Sequence, residues 1–278
     1  MDPFYFPYPS RRQLVYGRRG MVCTSQPLAA GAGLDILKAG GNAVDAAVAT
    51  AIAMTVLEPV SNGIGSDTFA LVWTGGELYG LNGSGYAPAA LSGDSLREQG
   101  YEKMPFRGWA PVNVPGTPSA WRTLSRRFGR LPFETLFDSA IRYAREGYPV
   151  SPVVSIQWRE QYESFSRTLD APCHRGWFDT FAPQGRAPEA GELWASEDMA
   201  RTLEELAETG CESFYRGDLA RKMDRFSCET GGYLRGEDLA GYEAMWVRPI
   251  SVRYKGCDVW EIPPNGHGLV ALMALNAL

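Results

Sequence analysis

The sequence predicts an α+β fold, and three observations carry that expectation. Apolar residues recur at helical spacing in separate blocks, from Val44 to Val56, from Trp121 to Phe128 and from Met199 to Ala207. Thr68 to Trp73 and Glu77 to Leu81 read as strands, with Thr74-Gly75-Gly76 as the hairpin turn between them. Ile250 to Tyr254 and Cys257 to Ile262 repeat that pattern around Lys255-Gly256.

The elements follow in chain order. Met21 to Thr24 reads as a short buried strand, and Ser25 is placed to cap a helix with Pro27 in its first turn. Leu28, Leu34, Ile36 and Leu37 lie on that helix, and Gly40-Gly41 stops it. Asn42 caps the next helix, whose many alanines permit close approach of a neighbour and which ends before Pro59. Ser61 to Asp67, Gly83 to Pro88 and Val112 to Pro118 read as loops marked by glycine or proline. Helices follow around Trp121, Leu124 and Phe128 and from Phe133 to Ala144, closed by Gly129 and Gly147. The stretch 166–193 is rich in Pro, Gly and aromatics and reads as irregular surface. Ser196 caps a helix closed by Gly210, and Phe214 to Phe226 continues at helical spacing with a break at Gly217. Pro263 to Gly268 is a loop. Leu269 to Leu278 is almost wholly apolar and favours a helix without a cap or a polar face. Chains usually end in a polar, frayed segment, so the expectation is a fold that continues past Leu278.

Composition narrows the function classes. The 278 residues, 45% hydrophobic and 21% charged, have the balance of a globular protein rather than a disordered one. A net charge of −5 with no basic run leaves no electrostatic footprint for nucleic acid. The cysteines Cys23, Cys173, Cys211, Cys228 and Cys257 form no CxxC pair and read as thiols. His174 and His267 lack the ligand spacing of a zinc site, so no metal or cofactor is expected. Met1 to Arg12 has no continuous apolar core of a signal peptide, and Ala46 to Leu57 is too short to span a bilayer. A cytoplasmic protein without a membrane partner is the expectation.

Hydrolase and nucleotide motifs are missing. There is no G-x-S-x-G, no Gly-Lys-Ser/Thr of a P-loop and no G-x-G-x-x-G after a strand. What remains is a set of glycine loops between helices and strands. Such loops either bring backbone N–H groups to a ligand or oxyanion, or serve as tight turns.

Read as a whole, the stretch M-V-C-T-S-Q-P-L-A-A-G-A-G-L-D-I-L-K-A-G-G-N-A-V-D-A-A-V-A-T-A from Met21 resembles the opening of the γ-glutamyltransferases and the related cephalosporin-acylase-like proteins. Further stretches agree in order: E-P-V-S-N-G-I-G at Glu58 to Gly65, V-P-G-T-P at Val114 to Pro118 and F-G-R-L-P-F at Phe128 to Phe133. Then come F-Y-R-G-D-L-A at Phe214 to Ala220, G-E-D-L-A-G-Y at Gly236 to Tyr242 and P-P-N-G-H-G at Pro263 to Gly268. The resemblance implies an N-terminal-nucleophile hydrolase with a four-layer αββα sandwich, made as one precursor that cuts itself. It implies a new N-terminal Thr that attacks a γ-glutamyl amide such as that of glutathione, with its own α-amino group as base.

The resemblance also implies what is missing. The family's nucleophile follows the P-P-N-G loop in a Thr-Thr-His-type motif, and no threonine here is followed by Thr-His. The chain therefore reads, over 1–278, as the large-subunit part only, with an N-terminal extension at 1–20, an incomplete C-terminus and no catalytic residue of its own. Its expected partners are the small-subunit half that carries the nucleophile and a small γ-glutamyl or acyl-amide substrate; alone it should be inactive. True γ-glutamyltransferases clamp the substrate α-carboxylate with an arginine shortly before Ala-Pro, a task suited to a bidentate guanidinium. Ser84 stands at that position, and Tyr86 stands where the acylase-like branch carries its arginine. Ser84 and Tyr86 are thus the candidate substrate-binding residues, for a neutral or differently shaped acyl group; otherwise they are a turn residue and a packing aromatic. Ser66 replaces a usual glycine, and His267 a small or amide residue. The alternative reading is a non-catalytic scaffold or binding homologue that has lost both nucleophile and clamp.

Overall fold

The computed structural model describes residues 14–278. The segment Met1 to Arg12, read above for a leader, and most of the expected 1–20 extension lie outside the described residues. Among the described residues no helix is long and apolar enough to cross a membrane.

Two helices form the spine, α1 (Pro27–Lys38) and α2 (Ala43–Leu57). Asn42 caps α2 as expected: its Oδ1 accepts from the Val44 and Asp45 amides, and Asp45 accepts from the Asn42 N–H. From Ala46 to Leu57 only Ala47 and Ala51 escape full burial, so α2 is apolar nearly all round. Small side chains make this possible. Where α1 crosses α2, a Cβ on Gly33 would stand 2.3 Å from Thr50 Oγ1 and 3.1 Å from the Ala46 carbonyl oxygen. The start of α1 differs from expectation. Gln26, not Ser25, is the N-cap, its Oε1 accepting from the Leu28 amide at 2.6 Å. Ser25 Oγ donates instead to Glu58 Oε2, also at 2.6 Å, tying the entry of α1 to the exit of α2.

The sheet pairs β1 (Thr68–Thr74) with β2 (Glu77–Gly83) around Gly75-Gly76, antiparallel from Thr68↔Gly83 to Thr74↔Glu77. Helices α3 (Gly93–Glu98), α4 (Thr117–Phe128) and α5 (Asp138–Glu146) follow, with a 3-10 turn over Phe133–Phe137 leading into α5. A two-residue ladder joins β3 (Tyr148–Pro149) to β4 (Leu193–Trp194), and between them run α6 (Pro152–Thr168) and α7 (Arg175–Phe181). Then come α8 (Glu197–Glu208), α9 (Glu212–Arg216), α10 (Asp218–Glu229) and α11 (Gly236–Ala240). Strand β5 (Met245–Val247) joins the far edge of β2, giving the order β1-β2-β5. A separate hairpin, β6 (Ile250–Tyr254) with β7 (Cys257–Glu261), supports α12 (Gly268–Ala277).

The two faces of the three-stranded sheet are unlike. Leu81 is fully buried, and Ala70, Val72 and Trp246 pack on the core formed by α2, α4, α5 and α8. On the other face Phe69, Leu71, Trp73 and Met245 are exposed in register with one another. In α12 only Leu272 is buried, while Val270 and Met273 are both more than three-fifths exposed.

Two segments depart from the sequence reading. Met21 to Thr24 joins no strand among the described residues, and Met21 and Cys23 are exposed rather than buried. The stretch 166–193, read as irregular surface, holds the end of α6, the whole of α7 and part of a buried aromatic cluster. Phe181 and Trp194 stack with centroids 6.0 Å apart, and Trp158 lies edge-on to both. Trp158 is 1% exposed, and its Nε1 donates to the Phe181 carbonyl at 2.9 Å. The aromatics that suggested a surface loop instead make a small core of their own.

Asp45 is the polar keystone of the spine. It is fully buried, and its carboxylate accepts from the amides of Asn42, Arg130 and Leu131, joining the start of α2 to the link after α4. Removing it strands several buried N–H groups. Asp45→Ala is expected to cost about 3 kcal/mol, read as a lower urea midpoint at unchanged m-value.

Cys211 is also fully buried, and burial pushes its thiol up to about 12, against 9.0 for a free thiol, with Arg122 opposing weakly. Its folded-state pKa is thus raised, so its contribution to stability is complete below the unfolded value and is lost as pH climbs towards the folded one. Between about 9 and about 12 the wild type should lose stability more steeply than Cys211→Ala. At neutral pH a maleimide should reach Cys211 only after denaturation.

Candidate functional site

Several of the glycine-marked segments converge at one end of β2. Asn82, the penultimate residue of β2, is buried, and its Oδ1 accepts from the Ser84 amide at 2.9 Å. Its Nδ2 donates to Asn265 Oδ1 at 2.9 Å, and Asn265 Nδ2 donates to Ser84 Oγ at 2.7 Å. Two asparagines separated by 183 positions therefore close a ring around Ser84. The Ser84 hydroxyl proton points to the Gly85 carbonyl at 3.3 Å.

The next turn of chain is built on contact between backbones. Gly85 has φ +80°, and a Cβ there would sit 1.8 Å from the Val114 carbonyl oxygen. Opposite it, a Cβ on Gly116 would meet the Gly83 carbonyl oxygen at 1.9 Å. No side chain fits at either position. The Val114 amide donates to the Tyr86 carbonyl at 2.9 Å, and the Gly116 and Thr117 amides both donate to the Ser66 carbonyl, at 3.1 and 3.0 Å. This locks the 82–86 strand exit, the Val114 to Pro118 turn and the loop that follows α2 into one body.

Tyrosines seal its flank. Tyr242 accepts from the Gly85 N–H at 3.2 Å, and its ring lies 5.5 Å from that of Tyr86 and 5.7 Å, stacked, from that of Tyr215. Tyr86 donates to the Asp238 carbonyl at 2.8 Å, and Asp238 Oδ1 accepts from the Ala89 amide at 2.9 Å. Tyr215 donates to the Pro115 carbonyl at 2.7 Å. Burial raises the Tyr86 and Tyr242 phenols above their usual range; for Tyr242 the Gly85 N–H pulls the other way and Tyr86 adds to the rise. Both stay neutral at ordinary pH. The Tyr242 proton meets no acceptor among the described residues, so this hydroxyl can donate to a ligand.

Beside this junction runs a cleft of about 410 Å³ between the unpaired segment at Met21 to Thr24, one side of α2 and the loop at 62–68. Asn62, Ser66, Asp67 and Thr117 are among its polar lining, and Thr68 Oγ1 lies 2.8 Å from Thr117 Oγ1. Neither Ser84 nor Tyr86 lines it. Of these two sequence-derived candidates, Ser84 sits inside the asparagine ring, whereas Tyr86 is 44% exposed and ties its hydroxyl to α11. The residues not singled out from the sequence are Asn82, Tyr242, Asp238 and Asn265. All but Asn82 lie inside the quoted G-E-D-L-A-G-Y and P-P-N-G-H-G stretches, so motif membership was the available signal. No group of three or more His, Cys, Asp or Glu side chains gathers among the described residues.

The chain as a whole is similar to known proteins. The family model described as Gamma-glutamyltranspeptidase matches residues 29–278. The glutathione hydrolase-like YwrD proenzyme of Bacillus subtilis is 33% identical over 269 residues, covering 95% of this chain and 49% of its own length. Glutathione hydrolase proenzyme 1 of Schizosaccharomyces pombe is 33% identical over 97% of this chain and 42% of its own. The chain thus spans about half the length of the curated relatives it matches. Among solved structures, the cephalosporin acylase of Bacillus halodurans superposes with a TM-score of 0.94 at 58% identity, over 99% of this chain and 52% of that one. The γ-glutamyltranspeptidase of Helicobacter pylori superposes with a TM-score of 0.83 at 28% identity, over 92% of this chain and 73% of that one. The α+β class and the N-terminal-nucleophile hydrolase fold expected from the sequence are the fold of these neighbours. With 250 of its residues, 29 to 278, inside the family model, the chain belongs to the gamma-glutamyltranspeptidase family.

Proposed function

We propose that residues 1–278 form the large-subunit part of an amidohydrolase that cleaves or transfers γ-glutamyl or related acyl groups. In this reading a Thr nucleophile comes from a complementary half that is not part of this sequence, and the chain alone is inactive. The observation that carries the reading is the sheet's outer face: Phe69, Leu71, Trp73 and Met245 form an uncovered apolar surface next to the motif-bearing junction. Apolar patches of this kind mark partner surfaces. Coverage of about half of each relative named as a proenzyme supports the same partner.

The junction would act as the rigid wall of the acyl site. The ring around Ser84 offers oriented amide and hydroxyl groups, and Tyr242 a neutral donor, for a small polar acyl chain. Rigid placement of such groups lets binding energy go into positioning the scissile amide. Without an arginine at Ser84 or Tyr86, an α-carboxylate would find weaker recognition than in a relative that has one. The 58% identity to a protein named cephalosporin acylase, against 33% or less for the glutathione hydrolases above, favours an acyl group other than γ-glutamyl.

The test uses the full natural protein with γ-glutamyl and glutaryl p-nitroanilides, following release of the amine. The glutaryl compound is expected to be the better substrate. Release from neither, by a folded and self-cleaved protein, would refute the assignment, and a folded protein that does not cleave itself would favour a scaffold. Ser84→Arg is expected to raise kcat/KM for the γ-glutamyl anilide about tenfold through a charge-assisted pair, with little gain for the glutaryl one. Gly85→Ala is expected to abolish activity towards both, because its Cβ overlaps the Val114 carbonyl.

A further inference from the structure

A second and larger cleft, of about 1180 Å³, lies between the 106–112 loop and helices α6 and α7. It shares no lining residue with Asn82, Ser84, Tyr242 or Asn265, and touches the loop after α2 only at Val60 and Ser61. Its walls are aromatic: Trp109 pairs with Phe226 at 5.9 Å between centroids, and Phe165 with Trp177 at 4.8 Å. The rims of these rings are already fixed, since Trp109 Nε1 donates to Thr230 Oγ1 at 3.0 Å.

Two charged side chains, Arg107 and Glu160, line this largely apolar space. The Arg107 guanidinium lies 4.8 Å over the Phe165 ring and donates to the hydroxyls of Ser164, at 3.0 Å, and Thr168. It makes no ion pair with a carboxylate among the described residues, unlike Arg122, Arg145 and Arg186. Glu160 also lines the cleft but does not pair with it. His174 lines the same space, and its Nδ1 is buried without a hydrogen-bond partner among the described residues. Neutral hydroxyls hold the guanidinium in place without cancelling its charge, so a planar anion can still approach its remaining N–H groups.

We propose that this cleft is a binding site for a flat aromatic carboxylate. The ring stacks among Trp109, Phe165, Trp177 and Phe226, and the carboxylate pairs with Arg107. Aromatic lining with few convergent polar groups is the usual makeup of a small-molecule site. The inference does not depend on the reaction proposed above, because it concerns other residues and a binding readout.

The experiment titrates the full protein with 2-naphthoate and, separately, with neutral 2-naphthalenemethanol, followed by calorimetry. Saturable one-to-one binding is expected for the carboxylate, with the alcohol about tenfold weaker or worse, the loss of one charge-assisted hydrogen bond. Arg107→Gln should weaken naphthoate about tenfold and leave the alcohol unchanged, while Arg107→Lys should keep part of the carboxylate preference. Trp177→Leu should weaken both ligands. Equal affinity for acid and alcohol, or naphthoate binding that Arg107→Gln does not alter in a folded variant, overturns the proposal; so does absence of saturable binding.

Discussion

The structure is organised by the burial of one helix on almost every side. Helix α2 can be enclosed because its residues are small, so α1, α4 and α5 approach its backbone closely, and Gly33 marks the tightest crossing. A helix enclosed in this way leaves only a narrow open stripe, at Ala43, Ala47 and Ala51, facing the cleft. Its N-terminus is pinned twice, by Asn42 and by the buried Asp45 carboxylate, and the second anchor fixes the link after α4 as well. Everything that carries the site hangs from the C-terminal end of this helix, through Glu58 and the loop to Ser66.

From that loop the constraint passes by backbone rather than side chain. The Ser66 carbonyl holds the Gly116 and Thr117 amides, and Gly85 and Gly116 let two chain segments touch where any Cβ would collide. Such contact is stiff, which is what a binding wall needs. It is also intolerant: glycine at these positions is required by geometry.

The uncovered face explains why a chain with a normal composition keeps Phe69, Leu71 and Trp73 in contact with solvent. A sheet needs both faces protected when both are apolar, and the helices here protect one. The second cleft is a different case, since it is concave, aromatic and carries a cation that makes no ion pair among the described residues. A flat complementary surface and a small-molecule pocket are distinguished by that shape and charge, not by hydrophobicity alone.

Local chemistry was legible from residues alone. Asn42 as a cap, Gly75-Gly76 and Lys255-Gly256 as hairpin turns and the small-residue helix ending before Pro59 each follow from short-range preferences that tertiary packing did not overrule. Where packing did overrule them, the reason is visible. Met21 to Thr24 has strand composition but joins no strand among the described residues, and Ser25 gives up its cap because Glu58 offers a stronger, charged partner. The aromatic stretch before Leu193 looked like surface because nothing local announces that Trp158 and Trp194 will meet it. The sequence by itself determined the spine helices, the two hairpins, the family resemblance and the segments that carry it. Only the tertiary structure decided that Asn82 and Asn265 would enclose Ser84, that Tyr86 would turn towards α11 and that Arg107 would face an aromatic cleft. Those outcomes depend on contacts between residues far apart in the chain, which no local preference encodes.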